Sequence, residues 1–449
     1  MSGKLYDIAS RTAVFLLLIE IVLITWLGSG AVTEFFSPML VVAFASFAAV
    51  SLCIVLQKDE NLNFFKKVPF WIGVAFFLLA LSQSCFFTGK FVQKDTYYVI
   101  ERLGTAFLPH SVDAEFSRGN AFSATSLFLA AFMFSCSVWF VSRKRNVAVL
   151  LCAFFAANVV VMAVVALAMK AGNVVILYDV VYTDAKSSYG SFTMPNSAAS
   201  FITMGMMTCI SLVPVAWGVR NVFFKIAIEA VLLSSAVLCV YAVFRSGSGS
   251  AYFLLPGCAL FLIGIVLFFK YRKIFFACLV VAVFVCGALF QNVDSKSLGR
   301  PELFGELYDS MYSRIKIYDA SLDLVKDFDA ADIAFGVGGN SYRYLIPEYM
   351  SGQYGKNIMS FPHDPHSSVL LLAIEYGVAG VGLALAGALC FAKSLYDKKE
   401  YLVFSNFSML SGVAVCLCHS FFDVHFQIPA IVVSLFGLIP LSLANFKAE

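Results

Sequence analysis

The chain has 449 residues, of which 60% are hydrophobic and 13% charged, and its net charge is +3. A soluble domain carries about twice that charged fraction, so a soluble enzyme is excluded and an integral membrane protein is indicated. The basic residues gather at the ends of apolar stretches, which gives no basis for binding nucleic acid.

A membrane helix needs about 20 apolar residues. Twelve stretches qualify: 12–31, 37–56, 69–88, 121–141, 147–169, 197–219, 225–244, 251–269, 274–290, 367–391, 402–420 and 428–446. The first is long enough to span and lacks a small-residue cleavage site, so it reads as a membrane helix and not a cleaved signal. The twelve cysteines all fall in apolar segments, where they act as small buried hydrophobes and give neither a disulfide framework nor a metal cluster. Short basic loops set the orientation. Arg143, Lys144 and Arg145 share one side with Lys270, Arg272 and Lys273, with Lys66 and Lys67, and with Lys398 and Lys399. Both termini are then cytoplasmic. Residues 89–120, 170–196, 245–250, 291–366 and 421–427 face outward. The expected class is all-α: nine spans within 1–290, a helical loop domain over 291–366 carrying the site, and three spans within 367–449. No internal repeat is visible, which disfavours an inverted-repeat transporter.

The outer loops hold the informative residues. The first, 89–120, is polar and aromatic. The second ends in YGSFTMPNSAASF, read as a turn at Gly190 and Pro195 followed by an Asn196 cap on the next span. The seventh span ends in FRSGSGSAY, where Arg245 either snorkels to the interface or meets a ligand. In the large loop, Leu303, Leu307, Met311, Ile315, Tyr318, Leu322 and Val325 recur at helical spacing, predicting a helix over 303–328. At about 100° per residue their stripe places Arg314 inside it. A charge on a buried face needs an anionic partner, either a carboxylate or a substrate phosphate suited to a guanidinium fork. The glycines of FGVGGN, including Gly336 and Gly338, read as a tight turn, since the Lys-Ser/Thr of a phosphate loop is absent. That turn positions a short helix in SYRYLIPEY, where Arg343 reads as surface or structural.

His363-Asp364-Pro365-His366 then opens the tenth span. Proline disfavours helix just before it. A metal reading finds no known zinc spacing and no third ligand. The remaining readings are a structural cap and a neutral histidine acting as general base or partner to a sugar hydroxyl. Glu20, Glu229 and Glu375 lie inside spans, where carboxylates are unusual. Glu375 could orient the histidines or serve the structure.

These residues resemble the bacterial O-antigen ligase and polymerase superfamily. Its ligase pattern is His, Asn/Ser/Gln, nine residues, Gly, two residues, Gly and Thr/Val/Tyr, matched by His366, Ser367, Gly377, Gly380 and Val381. Arg245 matches the family's arginine after a mid-chain span, and Arg314 the one before the Gly-x-Gly turn. The stretch YGSFTMPNSAA is similar to its Gly-x-Phe-x-x-Pro-Asn motif. The resemblance covers roughly residues 185–425. One departure is Tyr318, where the family often has tryptophan.

The resemblance implies an inverting glycosyltransferase that moves an undecaprenyl-diphosphate-linked glycan to a lipid A-core or similar acceptor at the outer face of the bacterial inner membrane. It implies no cofactor and no metal. The expected catalytic residues are His366 and Arg314. Arg245, Arg314 and Arg343 are expected on the diphosphate, with His363, Tyr318, Asn196, Gly338 and Glu375 in support. A polymerase joining lipid-linked repeats is the alternative within the superfamily, and a lipid-linked sugar transporter a more distant one. The topology has a direct check. Cysteines placed near Lys326 are expected to react with an impermeant thiol reagent in intact spheroplasts, and cysteines near Arg145 are not; the reverse pattern would overturn the site assignment.

Overall fold

The computed structural model describes residues 2–28, 36–57, 64–94, 97–104, 108–114, 120–172, 176–177, 180–181, 188–271, 302–354 and 364–446. Its helices are α1 (Ser2–Leu27), α2 (Phe36–Gln57), α3 (Val68–Cys85), α4 (Ala121–Val141), α5 (Arg145–Gly172), α6 (Pro195–Ala216), α7 (Val222–Arg245) and α8 (Ala251–Lys270). They continue with α9 (Glu302–Lys326), α10 (Ala330–Phe335), α11 (Tyr342–Tyr354), α12 (Ser368–Asp397), α13 (Phe404–His419) and α14 (Pro429–Leu441). Among the described residues, nine helices are long and apolar enough to cross a membrane: α1 to α8 and α12. The shorter apolar helices α13 and α14 stand where the last two spans are expected. The protein is therefore a multi-pass helical membrane protein. The expected ninth span, 274–290, lies outside the described residues.

Helix α6 sits at the centre, packed by α5, α7 and α13. Phe201, Ile202 and Met204 are fully buried. Two of its threonines are satisfied within the helix, Thr203 donating to the Ala199 carbonyl at 2.7 Å and Thr208 to the Met204 carbonyl at 2.8 Å. Such internal pairing matters in a helix this buried, because an unpaired buried donor is costly. The turn before α6 plugs the same core. Gly190 has φ +62, and a Cβ there would lie 2.8 Å from the Met162 sulfur. Tyr189 and Phe192 are buried beside it.

The segment between α3 and α4 contains a sheet that the sequence reading did not anticipate. Strand β1 (Phe87–Lys94) pairs antiparallel with β2 (Tyr97–Arg102) and parallel with β3 (Ser111–Ala114). This sheet docks on the large loop. The Phe91 and Tyr344 rings lie 4.7 Å apart, and the Val112 N–H donates to the Ser341 hydroxyl at 3.1 Å. His110 Nε2 meets Asp332 Oδ1 at 3.0 Å.

The large loop has its own small core. Ile317, Ala320 and Leu324 of α9 pack with Val337, with Tyr342, Ile346 and Met350 of α11, with Leu371 and Ile374 of α12, and with Val424. Helix α9 lies where expected, but its buried face differs from the predicted stripe. Ile315 and Leu322 are half exposed, whereas Ala320 and Ser321 are buried. The small residues win because they let Tyr342 approach, and its hydroxyl lies 2.8 Å from that of Ser321. The side chains of Leu303, Leu307 and Met311 lie outside the described residues.

A break in α12 fixes the loop to the membrane helices. Gly377 has φ 59 and ψ −162, a conformation open essentially to glycine. The break frees two carbonyls. Ile374 accepts from the Val337 N–H at 3.0 Å, and Glu375 from the Gly338 N–H at 2.9 Å. Gln83 of α3 also donates to the Glu375 carbonyl, at 2.8 Å. A Cβ on Gly336 would lie 2.3 Å from the Glu375 carbonyl carbon, and one on Gly377 would lie 2.5 Å from the Gly336 nitrogen. The tight-turn reading of FGVGGN thus acquires its reason: backbone meets backbone, with no room for side chains.

Two outcomes follow. Gly377→Ala is expected to cost at least about 2 kcal/mol from backbone conformation and overlap and to expose the 336–341 turn to limited proteolysis. Intact turn protection in that variant would contradict the role of the break. The second concerns His110. Burial alone would lower its pKa, but the hydrogen bond to Asp332, one to the Leu108 carbonyl and the nearby Asp332 and Asp329 charges raise it. A raised histidine stabilises fully below the unfolded value of about 6.5 and loses that contribution as pH rises through the folded value. Amide-exchange protection of β3, corrected for intrinsic rate, is expected to fall by about 1–2 kcal/mol over this rise, and His110→Gln to abolish the dependence.

Candidate functional site

Helix α9 carries two residues one turn apart that reach different elements. Arg314 donates to the Phe422 carbonyl at 2.9 Å. Tyr318 donates to the His366 carbonyl at 3.4 Å. One helix face thus touches both the start of α12 and the turn between α13 and α14. Arg314 is partly buried. The carboxylate partner that the sequence reading allowed is not found within salt-bridge distance among the described residues; the partner is a carbonyl, which uses one of five guanidinium donors. Burial raises the Tyr318 pKa, with Arg314 opposing and Asp423 reinforcing, so its hydroxyl stays protonated at neutral pH.

His366 stands just before α12 in a left-handed conformation, φ 48. Asp364 holds it there: its Oδ1 accepts the His366 N–H at 2.9 Å and lies 3.6 Å from His366 Nδ1. Asp364 is buried, while about a third of the His366 side chain is exposed. The helix cap is Ser367, whose hydroxyl accepts from the Leu370 N–H at 3.2 Å. The cap reading of His366 is therefore corrected, and its imidazole is left for other use. Asp364, which the sequence reading weighed as part of the turn and of a metal reading, holds the His366 backbone through that hydrogen bond. His363 lies outside the described residues.

The α13–α14 turn is tied to the same place. The Ser368 N–H donates to the carbonyls of Ser420 at 2.8 Å and Asp423 at 3.1 Å, and the Ser368 hydroxyl to the Asp423 carbonyl at 2.8 Å. His419, Asp423 and His425 come together in this turn, with one ligand atom of each within 4.8 Å of the others. The sequence places both histidines near this turn but does not show that they meet Asp423. Their spacing, His-x-x-x-Asp-x-His across a helix end, was the available signal.

The other expected residues divide. Asn196 does not cap α6, which begins at Pro195 after Met194. Its Oδ1 accepts from the Ser248 hydroxyl, fixing the turn after α7. One helical turn on, the Ser200 hydroxyl lies 2.7 Å from His419 Nδ1. The start of α6 therefore joins the Arg245 turn to the turn beneath Arg314. Arg245 ends α7, exposed, with its charge felt at the Tyr189 hydroxyl. Arg343 lies on α11 as expected, and its buried Nε has no partner among the described residues. Glu375 is buried and its Oε1 accepts from the Tyr342 N–H at 3.4 Å, at the start of α11. That favours its structural reading over one in which it orients His366. Gly338 belongs to the docking turn. Glu20 is buried with both carboxylate oxygens unpartnered among the described residues, and Glu229 has one such oxygen.

Residues 234–385, about a third of the chain, match the model of a family described as O-antigen ligase. The matched segment runs from α7 through the break in α12 and so includes Arg245, Arg314, Arg343 and His366. No curated protein matches the chain.

Proposed function

We propose that this protein is a glycosyltransferase of the O-antigen ligase kind. It moves a glycan from undecaprenyl diphosphate onto a lipid A-core or similar surface acceptor, at the periplasmic face of the bacterial inner membrane with both termini cytoplasmic. The observation that carries the reading is α9 bringing Arg314 and His366 to one end of the bundle. Arg314 is anchored through one donor, which leaves the rest of a planar fork for a phosphate. A guanidinium matches two phosphate oxygens at once and stabilises the charge that develops as the diphosphate leaves. Arg245, at the same end of α6, supplies a second positive charge.

The reaction follows from these groups. His366, with Asp364 holding its backbone and lying beside its ring, takes the proton from an acceptor hydroxyl. The hydroxyl oxygen attacks the anomeric carbon from the face opposite the diphosphate. The bond from that carbon to the phosphate oxygen breaks, its electron pair leaves with undecaprenyl diphosphate, and the anomeric configuration inverts. Tyr318 holds the backbone of His366. Arg343 is a further diphosphate contact, its buried Nε having no partner among the described residues. His363 supports its neighbour.

Arg314→Ala is expected to abolish transfer while folded protein is retained, and Arg314→Lys to recover part, because an ammonium cannot make the two-pronged contact. His366→Ala is expected to lose at least about a hundredfold in rate. Near-normal turnover in His366→Ala would remove the base from this position. Gel analysis of glycans after gene deletion separates the acceptors. Lipid-linked polymer that never reaches its acceptor is the result expected for a ligase. Single-repeat glycans would indicate a polymerase, and unchanged glycans would contradict both.

A further inference from the structure

We propose that His419, Asp423 and His425 form a binding site for a divalent transition-metal cation of the zinc type, which braces the α13–α14 turn beneath Arg314. Each of the three side chains has one polar atom already engaged. His419 Nδ1 lies 2.7 Å from the Ser200 hydroxyl, His425 Nδ1 lies 3.2 Å from the Ser420 hydroxyl, and Asp423 Oδ1 accepts from the Val424 N–H at 2.8 Å. The opposite atoms remain: His419 Nε2, His425 Nε2 and Asp423 Oδ2. Two of these, His425 Nε2 and Asp423 Oδ2, are buried without a partner among the described residues. Asp423 is 2% exposed and His425 0%. His419 Nε2 and Asp423 Oδ2 stand 3.8 Å apart, and one ligand atom from each residue lies within 4.8 Å of the others.

This is the arrangement a metal ligand set requires. A ring nitrogen that donates to an outer partner fixes the tautomer and leaves the other nitrogen's lone pair for the ion. Two imidazoles and a carboxylate suit zinc, with a fourth position for water. Asp423 offsets half the charge of a dication. It lies within electrostatic range of Arg314, as does His419, so the guanidinium opposes the cation.

The cation's role is positional. Asp423 carries the carbonyl that accepts both Ser368 donors, and its neighbour Phe422 carries the carbonyl that holds Arg314. Locking the Asp423 side chain would fix both. Transfer chemistry in this account still belongs to Arg314 and His366.

The test uses the purified full-length protein in detergent. Zinc is measured by elemental analysis after preparation without chelators, and stripped protein is titrated with Co2+ alone, read by visible absorption. The expected result is one equivalent of metal per chain and a tetrahedral cobalt spectrum. Asp423→Asn and His425→Ala are expected to lose the spectrum. Ser420→Ala removes only an outer partner and leaves the ligands, so it is expected to weaken binding about tenfold even if the ligand variants assemble poorly. Arg314→Ala is expected to bind metal as tightly as wild type or more so. His366→Ala is expected to bind normally; loss there with retention in His425→Ala would move the ion to the turn at Asp364 and overturn the assignment. Substoichiometric metal in wild type, or cobalt binding unchanged in Asp423→Asn, would also overturn it. None of these readouts depends on transfer activity, so the site stands or falls separately from the proposed reaction.

Discussion

The loop domain of this molecule hangs on a one-residue break in a helix. At Gly377 the backbone of α12 leaves helical geometry, and the carbonyls of Ile374 and Glu375 lose their intrahelical donors. Inside a membrane protein such groups must find other partners. They find the N–H groups of Val337 and Gly338, and Gln83 adds a third donor. The loop domain is thereby joined to a membrane helix by main-chain hydrogen bonds, which hold position more tightly than long side chains can. Everything the loop presents takes its place from that joint: α9 with Arg314 and Tyr318, and α11 with Arg343.

The joint and the reactive groups sit at different depths on α12. Its first residue, Ser368, holds the Asp423 turn, and His366 precedes it. The break comes about two and a half turns later. The segment between them is clamped at both ends, above by the α13–α14 turn and below by Gly336 to Gly338. This explains how a histidine outside any helix is held in one orientation. Its φ of 48 is costly for a residue with a side chain, and Asp364, Tyr318 and the Ser367 cap together offset the strain.

Much of this was legible in the sequence where a feature depends on local chemistry. Apolar runs announced the spans, and the glycines of FGVGGN announced a tight turn. The Asp-Pro-His-Ser stretch announced the start of α12, but not its break at Gly377. What depended on packing partners was not legible. The α9 stripe chose its largest apolar residues, but the helix buries Ala320 and Ser321 because Tyr342, from another helix, needs their space. Asn196 has the residue type of a cap, yet Pro195 already begins α6, and the side chain serves Ser248. The strands between α3 and α4 lean on Tyr344 and Ser341 far along the chain. His419 and His425 were visible, but their convergence on Asp423 requires the fold of a turn that two phenylalanines obscure.

The central claim is that Arg314 receives the diphosphate of a lipid-linked donor while His366 acts only in the chemical step. Donor binding by the purified protein tests it most directly, measured by native mass spectrometry with an undecaprenyl-diphosphate-linked saccharide and, in parallel, undecaprenyl monophosphate. The account predicts that wild type and His366→Ala retain the diphosphate donor, that Arg314→Ala loses it, and that the monophosphate binds more weakly to wild type. Equal retention of the donor by wild type and Arg314→Ala would contradict the account.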